Sequence, residues 1–155
     1  MSGTVEATQS GAWTVELSDR PTPVRFGPIE EVTSFGNIPS SRSLIPSLQS
    51  GKRFVLTHVS ALITSSDPSI PLATGECTLL FNGIQSNGSV GSSPFMGIPI
   101  EGQGTRLYGS LQMYVPLNGD EGIDVVCTGR TSDSSVLPQV FRATAGGYFL
   151  PPAKQ

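Results

Sequence analysis

Few side chains in this sequence carry the makings of catalysis, and their spacing matters more than their number. There is one histidine, His58, within FVLTHVSALI. As a general base or metal ligand it needs a carboxylate, cysteine or second histidine at ligand spacing, and none stands near it. Strict alternation puts His58 on one strand face with Phe54, Leu56, Ser60 and Leu62, where an imidazole is expected to be a hydrogen-bonded packing group. Serines are abundant, but no GxSxG elbow occurs, and a triad would have to recruit that same histidine. Glu76, Glu101, Asp120, Glu121 and Asp124 could pair for glycosidic acid–base work, yet nothing in their local sequence selects two of them. Asp120, Glu121 and Asp124 offer hard oxygens of the kind calcium takes, without the alternating spacing of a known calcium loop. The glycine-rich GIPIEGQGTRLYG lacks the lysine and the following helix of a phosphate cradle and reads as a hairpin connection. No catalytic residue, metal site or cofactor is therefore expected.

Aromatic side chains provide the remaining handle for binding. Sugar rings stack on exposed tryptophan and tyrosine faces while their hydroxyls meet amides and carboxylates. Trp13, Tyr108, Tyr114 and Tyr148 qualify by type. In TRLYGSLQMYVP, Tyr108, Gln112 and Tyr114 share one face and Leu107, Leu111, Met113 and Val115 the other. The first set forms a candidate recognition strip.

These residues must be held by strands. The chain has 155 residues, a size for one domain with a substantial core, and its 18 glycines and 13 prolines interrupt any helix of ordinary length. Residues 51–65 form a dense β-branched and apolar run, expected to be the central strand. ECTLLFNG, FMGIPI, TRLYGSLQMYVP, GIDVVCTGR and VLPQVFRATAGGYFLP follow as further strands separated by turn formers. TRLYGSLQMYVP and GIDVVCTGR, joined across Asn118-Gly119, are expected to pair as an antiparallel hairpin. The expected architecture is an all-β sandwich of jelly-roll type with an extended N-terminal arm. The arm and its connection occupy residues 1–50 and the sandwich residues 51–155. Within the arm, Trp13, Phe35, Ile38, Leu44 and Ile45 are isolated apolar anchors, candidates for contact with a neighbouring subunit.

Charge and cysteine content exclude some partners. A formal net charge of −3 with no cluster of lysine or arginine lacks the electrostatic footprint of nucleic-acid binding. Met1 to Ser10 contain neither a basic run nor an apolar stretch, so neither a secretory signal nor membrane insertion is expected. Cys77 and Cys127 lie in strand-like runs in phase with large apolar neighbours and read as buried, reduced thiols.

Two stretches carry a resemblance. Gln9, Ser10, Gly11, Trp13, Val15, Leu17, Pro21 and Val24 form a QSGxW-type segment similar to those of fibrous and virion-associated bacteriophage proteins. Gly51, Lys52, Arg53, Val59 and Ser60, with Gly147, Tyr148 and Pro151 near the end, resemble a group of small uncharacterised bacterial β-proteins with a GKR strand and a closing GY phrase. The resemblance implies a β-fold and a non-enzymatic structural subunit of a phage-like particle or extracellular appendage, such as a decoration, fibre or spike component. Its partners would be copies of itself or neighbouring structural proteins, its place a virion or extracellular assembly. The alternative is a carbohydrate-binding attachment module acting on a surface glycan through the tyrosine strip.

Overall fold

The computed structural model describes residues 21–33, 40–84, 87–132 and 139–151. Among them are nine strands: β1 (Thr22–Thr33), β2 (Arg42–Ile45), β3 (Phe54–Ser65), β4 (Thr74–Ile84), β5 (Val90–Ile98), β6 (Glu101–Gln103), β7 (Arg106–Leu117), β8 (Gly122–Arg130) and β9 (Gln139–Phe149). They build two antiparallel sheets, ordered β1-β9-β3-β7-β6 and β2-β8-β4-β5. The pairing is nested: β1 with β9, β2 with β8, β3 with β7 and β4 with β5. A long hairpin rolled over on itself gives that nesting, which is the jelly roll expected from the sequence. The β3–β9 and β4–β8 ladders then close the two sheets.

Four expectations need correction. The sandwich begins well before residue 51, because β1 and β2 are ladder members of opposite sheets. β1 is an edge strand, so Pro23 costs no ladder bond on its open side. Leu44 and Ile45, read as anchors for a neighbour, are buried in the chain's own core. β7 and β8 do not pair with each other. The turn between them crosses from one sheet to the other, held by hydrogen bonds from Leu48 N to Glu121 O (2.9 Å) and from Asp120 N to Leu48 O (2.8 Å). Finally, Cys77 and Cys127 are joined as a disulfide. They are directly opposed in the β4–β8 ladder with Cα atoms 4.1 Å apart, and both side chains point into the core. Their burial follows from the alternation in sequence, whereas their bond follows from a strand pairing the alternation cannot reveal.

The core lies between the sheets, with Phe54, Leu56 and Phe141 from one meeting Leu79, Ile123 and Val125 from the other, all at 0% exposure. A polar link spans the edge strands, where Glu31, nearly buried, accepts from Arg42 Nε and from Ser40 Oγ (3.1 Å). Gln139, fully buried on β9, accepts from Gly129 N (2.6 Å) through Oε1 and donates from Nε2 to Gly129 O (3.2 Å), so one side chain ties β9 to β8.

The disulfide closes a loop whose ends lie 50 residues apart. Chain-entropy reasoning gives about 4 kcal/mol for a loop of that length. The unreduced protein is expected to be lighter than its reduced form by two hydrogens. A Cys77→Ala, Cys127→Ala double variant is expected to unfold in denaturant with about 2–4 kcal/mol less stability; identical midpoints for the two would refute the role assigned to the bond.

Candidate functional site

Which side chains face outward from the larger sheet depends on two β-bulges. In β3 the register shifts between Leu56 and His58 against both β7 and β9. Phe54 and Leu56 point inward, but after the bulge it is Val59, Ala61 and Ile63 that do so. Thr57, the extra residue, donates through Oγ1 to the Gly146 carbonyl (3.1 Å). His58, Ser60 and Leu62 therefore lie on the outer face, and His58 does not share a face with Phe54 and Leu56. In β1 the shift falls between Phe26 and Ile29. Gly27 there has φ +86°, and a Cβ on it would stand 2.7 Å from the Ala143 carbonyl oxygen, so the bulge requires glycine. Val24 and Phe26 pack inward before it, Ile29 and Glu31 after it, which leaves Glu30 and Val32 outside.

The resulting outer face reads as rows across the strands. One row runs Arg25, Gly146, His58 and Gln112. The next holds Thr144, Ser60 and Ser110, and the next Glu30, Arg142, Leu62, Tyr108 and Glu101. Its centre is built of small residues. A Cβ on Gly146 would stand 2.3 Å from the His58 ring, so the imidazole lies flat over a strand position without a side chain. Ser60 Oγ and Thr144 Oγ1 share a hydrogen bond of 2.6 Å. Larger side chains rise on either side. The product is an open trough of ≈ 290 Å³, floored by Ser60, Leu62 and Thr144 and walled by Arg25, Arg142 and Tyr108. Arg142 Nε is bonded to Glu30 Oε2 at 2.6 Å, with both side chains substantially exposed. Arg25 has no ion-pair partner among the described residues.

Tyr108, Gln112 and Tyr114 lie together on this face, with Tyr108 56% and Tyr114 70% exposed. Tyr108 lines the trough, and Gln112 stands beside His58 in the register. Tyr148, on β9, is half-buried beside Pro23 and Val55. Trp13, Phe35 and Ile38 fall outside the described residues. The trough's other members were missed by sequence reasoning. Arg142 and Thr144 alternate with Phe141, Ala143 and Ala145 in VFRATA, a signal that could have exposed them; Arg25 and Ser60 were hidden by the bulges. A second cavity of ≈ 330 Å³ opens at one end of the sandwich, lined by Phe26, Pro46, Leu48, Lys52 and Phe149 among others. Phe26 and Phe149 both meet Phe54 edge-on, at ring centroid distances of 5.3 and 5.2 Å.

The candidate chemical groups do not gather. His58 has Gly146 and Gln112 as its register neighbours, and no carboxylate bonds to it among the described residues. Glu76 and Glu101 stand exposed on different sheets. Glu121 is engaged in its own turn, accepting from Asn118 N at 2.7 Å, and Asp120 occupies a positive-φ position there (φ 70°). Asp124 lies in the middle of β8 between Ser43 and Leu80. No three His, Cys, Asp or Glu side chains cluster as a metal centre requires among the described residues, nor is any helix there long and apolar enough to cross a membrane.

No protein-family model matches the chain, and no curated protein does. Among solved structures it is similar to the CBM22-1 xylan-binding domain from Paenibacillus barcinonensis Xyn10C, at 14% identity over 88% of this chain and 92% of that one, with a TM-score of 0.30. A superposition that loose is not evidence of shared function.

Partial burial raises the Asp124 carboxyl above its ordinary value, because the fold penalises its charged form. A raised group favours folding while protonated, and that contribution is lost as pH rises through its folded-state value. Asp124→Asn removes the charge. The variant is expected to melt at or above the wild-type temperature at neutral pH, with the difference closing in acid below the ordinary aspartate range. A difference that grows on acidification would contradict this account.

Proposed function

We propose that this protein is a non-catalytic attachment module that recognises glycans through the outer face of the β1-β9-β3-β7-β6 sheet. The observation that carries the reading is the trough itself. An exposed aromatic ring, Tyr108, stands beside a floor of paired hydroxyls, Ser60 and Thr144, in a depression that is open rather than enclosed. A polysaccharide is long and must enter sideways, so an open trough suits it where a closed pocket does not. Pyranose rings present apolar faces to a tyrosine and hydroxyls to Ser, Thr and Gln side chains. Gln112 and Tyr114 continue the same face along β7 and extend the contact. Support for a non-catalytic role comes from the dispersal of His58 and the carboxylates.

A second feature favours assembly as well. On the smaller sheet, the β4–β5 hairpin exposes the cross-strand pair Ile84 and Val90, 64% and 77% accessible, with Phe95 on the same edge strand at 36%. An apolar hairpin end of this kind suits packing against a neighbouring structural protein or another copy of the chain. The two surfaces lie on different sheets and can be occupied together, as attachment by a component of a phage-like particle or appendage requires. The disulfide fits a working place outside the reducing cytosol, a virion or extracellular assembly.

A glycan array is expected to yield binding by the wild-type protein, and Tyr108→Ala is expected to weaken it about tenfold with the melting temperature unchanged, as loss of one stacking ring does. Binding that survives both Tyr108→Ala and Tyr114→Ala at full affinity would remove this face from consideration. For the assembly surface, Ile84→Asp with Val90→Asp is expected to reduce particle size by light scattering, and an unchanged size would discard it.

A further inference from the structure

We infer that the trough selects glycans bearing an anionic group, and that Arg25 is the residue that takes it; the inference rests on the glycan reading above. The chain as a whole is acidic, with a formal net charge of −3. The trough departs from that balance. Two of its lining residues are arginines, and the one carboxylate bonded to either of them, Glu30, already neutralises Arg142 at 2.6 Å. Arg25 is exposed, lines the same depression and has no ion-pair partner among the described residues. An unpaired guanidinium beside a floor of neutral hydroxyls leaves one uncompensated positive charge where a ligand would sit.

The geometry is selective as well as attractive. Arg25 is on β1 and Tyr108 on β7, three strand intervals apart, which at strand spacing is about 14 Å across the sheet. Arg25 also lies two rows from Tyr108, with the Ser60–Thr144 pair in the row between. A sugar stacked on Tyr108 cannot itself reach Arg25, so the anionic group belongs to a neighbouring residue of the same glycan. The planar fork of Arg25 offers two parallel N–H donors, matching the two oxygens of a uronate or sialate carboxylate and also those of a sulfate ester. The neighbouring Glu30 acts in opposition. It holds Arg142 away from the ligand and repels anions that approach it, so its removal should strengthen recognition.

The experiment is a glycan array of matched pairs: uronate chains and their methyl esters, sialylated and desialylated glycans, sulfated and unsulfated chains. It is read with wild type, Arg25→Gln, Arg25→Lys, Glu30→Gln and Tyr108→Ala, each checked for an unchanged melting temperature. Wild type is expected to prefer the anionic member of each bound pair. Arg25→Gln should weaken that member about tenfold, the scale of one charge-assisted contact, and leave the neutral member unaltered. Arg25→Lys should restore binding in part, and Glu30→Gln should raise it. Preference within the carboxylated or the sulfated pairs identifies the source of the charge. Equal binding of anionic and neutral members, with Arg25→Gln inert and Tyr108→Ala damaging, overturns the anionic inference while leaving the glycan reading intact. Absence of binding to every glycan, or indifference to Tyr108→Ala, overturns both.

Discussion

The bulge at Thr57 is the constraint on which the rest of this structure depends. β3 is the middle strand of its sheet, bonded to β9 on one side and β7 on the other. A strand has a side-chain period of two, so one inserted residue exchanges its faces. Before the insertion Phe54 and Leu56 fill the core; after it Val59, Ala61 and Ile63 do. Without the exchange, Val59 and Ile63 would be turned to solvent and His58, Ser60 and Leu62 driven between the sheets. Burying a histidine and a serine without partners costs far more than the bulge. The unpaired residue is itself satisfied, since the Thr57 hydroxyl donates to the Gly146 carbonyl. The core and the outer trough are thus two consequences of one local irregularity.

The second bulge, at Gly27, complements the first. β1 and β3 flank β9 on either side, and β9 continues through the region with unbroken alternation from Phe141 to Ala145. Both neighbours therefore adjust to β9, and Thr144 and Gly146 lie between the two adjustments. There Gly146 leaves room for the His58 ring and Thr144 bonds Ser60 across the ladder. A trough needs a low centre and raised flanks. Here the low centre is a run of small residues on one regular strand, and the flanks come from long side chains on β1 and β7.

How much of this was legible in the sequence depended on whether alternation held. In β7 it holds from Leu107 to Val115, and the shared exposed face of Tyr108, Gln112 and Tyr114 could be read directly. Where a bulge breaks the period, the reading failed in the same way each time: His58 was put with Phe54, and β1 was taken for an arm. Leu44 and Ile45 show a different failure. β2 is only four residues long, too short for any periodicity, and its burial comes from β8, a strand far along the chain. The disulfide and the absence of a β7–β8 hairpin share that cause, because both are set by which strands become neighbours when the long hairpin rolls over. Local chemistry specifies strands and turns well; the nested pairing is a global property.

That global property also explains why a binding face arises on this sheet. Ser60 and Thr144 are 84 residues apart in sequence and meet only because β3 and β9 become neighbours at the closure of the roll. Arg142 and Glu30, 112 residues apart, meet across the β1–β9 ladder for the same reason. The face is therefore assembled from the most distant parts of the chain, and its geometry exists only once the whole sandwich is formed. The β4–β5 hairpin is the opposite case, a local unit at the turning point of the roll whose exposed Ile84 and Val90 pair within one hairpin. A surface that must hold a ligand in fixed geometry benefits from support by the complete fold, and a surface that meets a neighbour through apolar area alone does not need it. The division of labour proposed for the two sheets follows the order in which the topology can stabilise them.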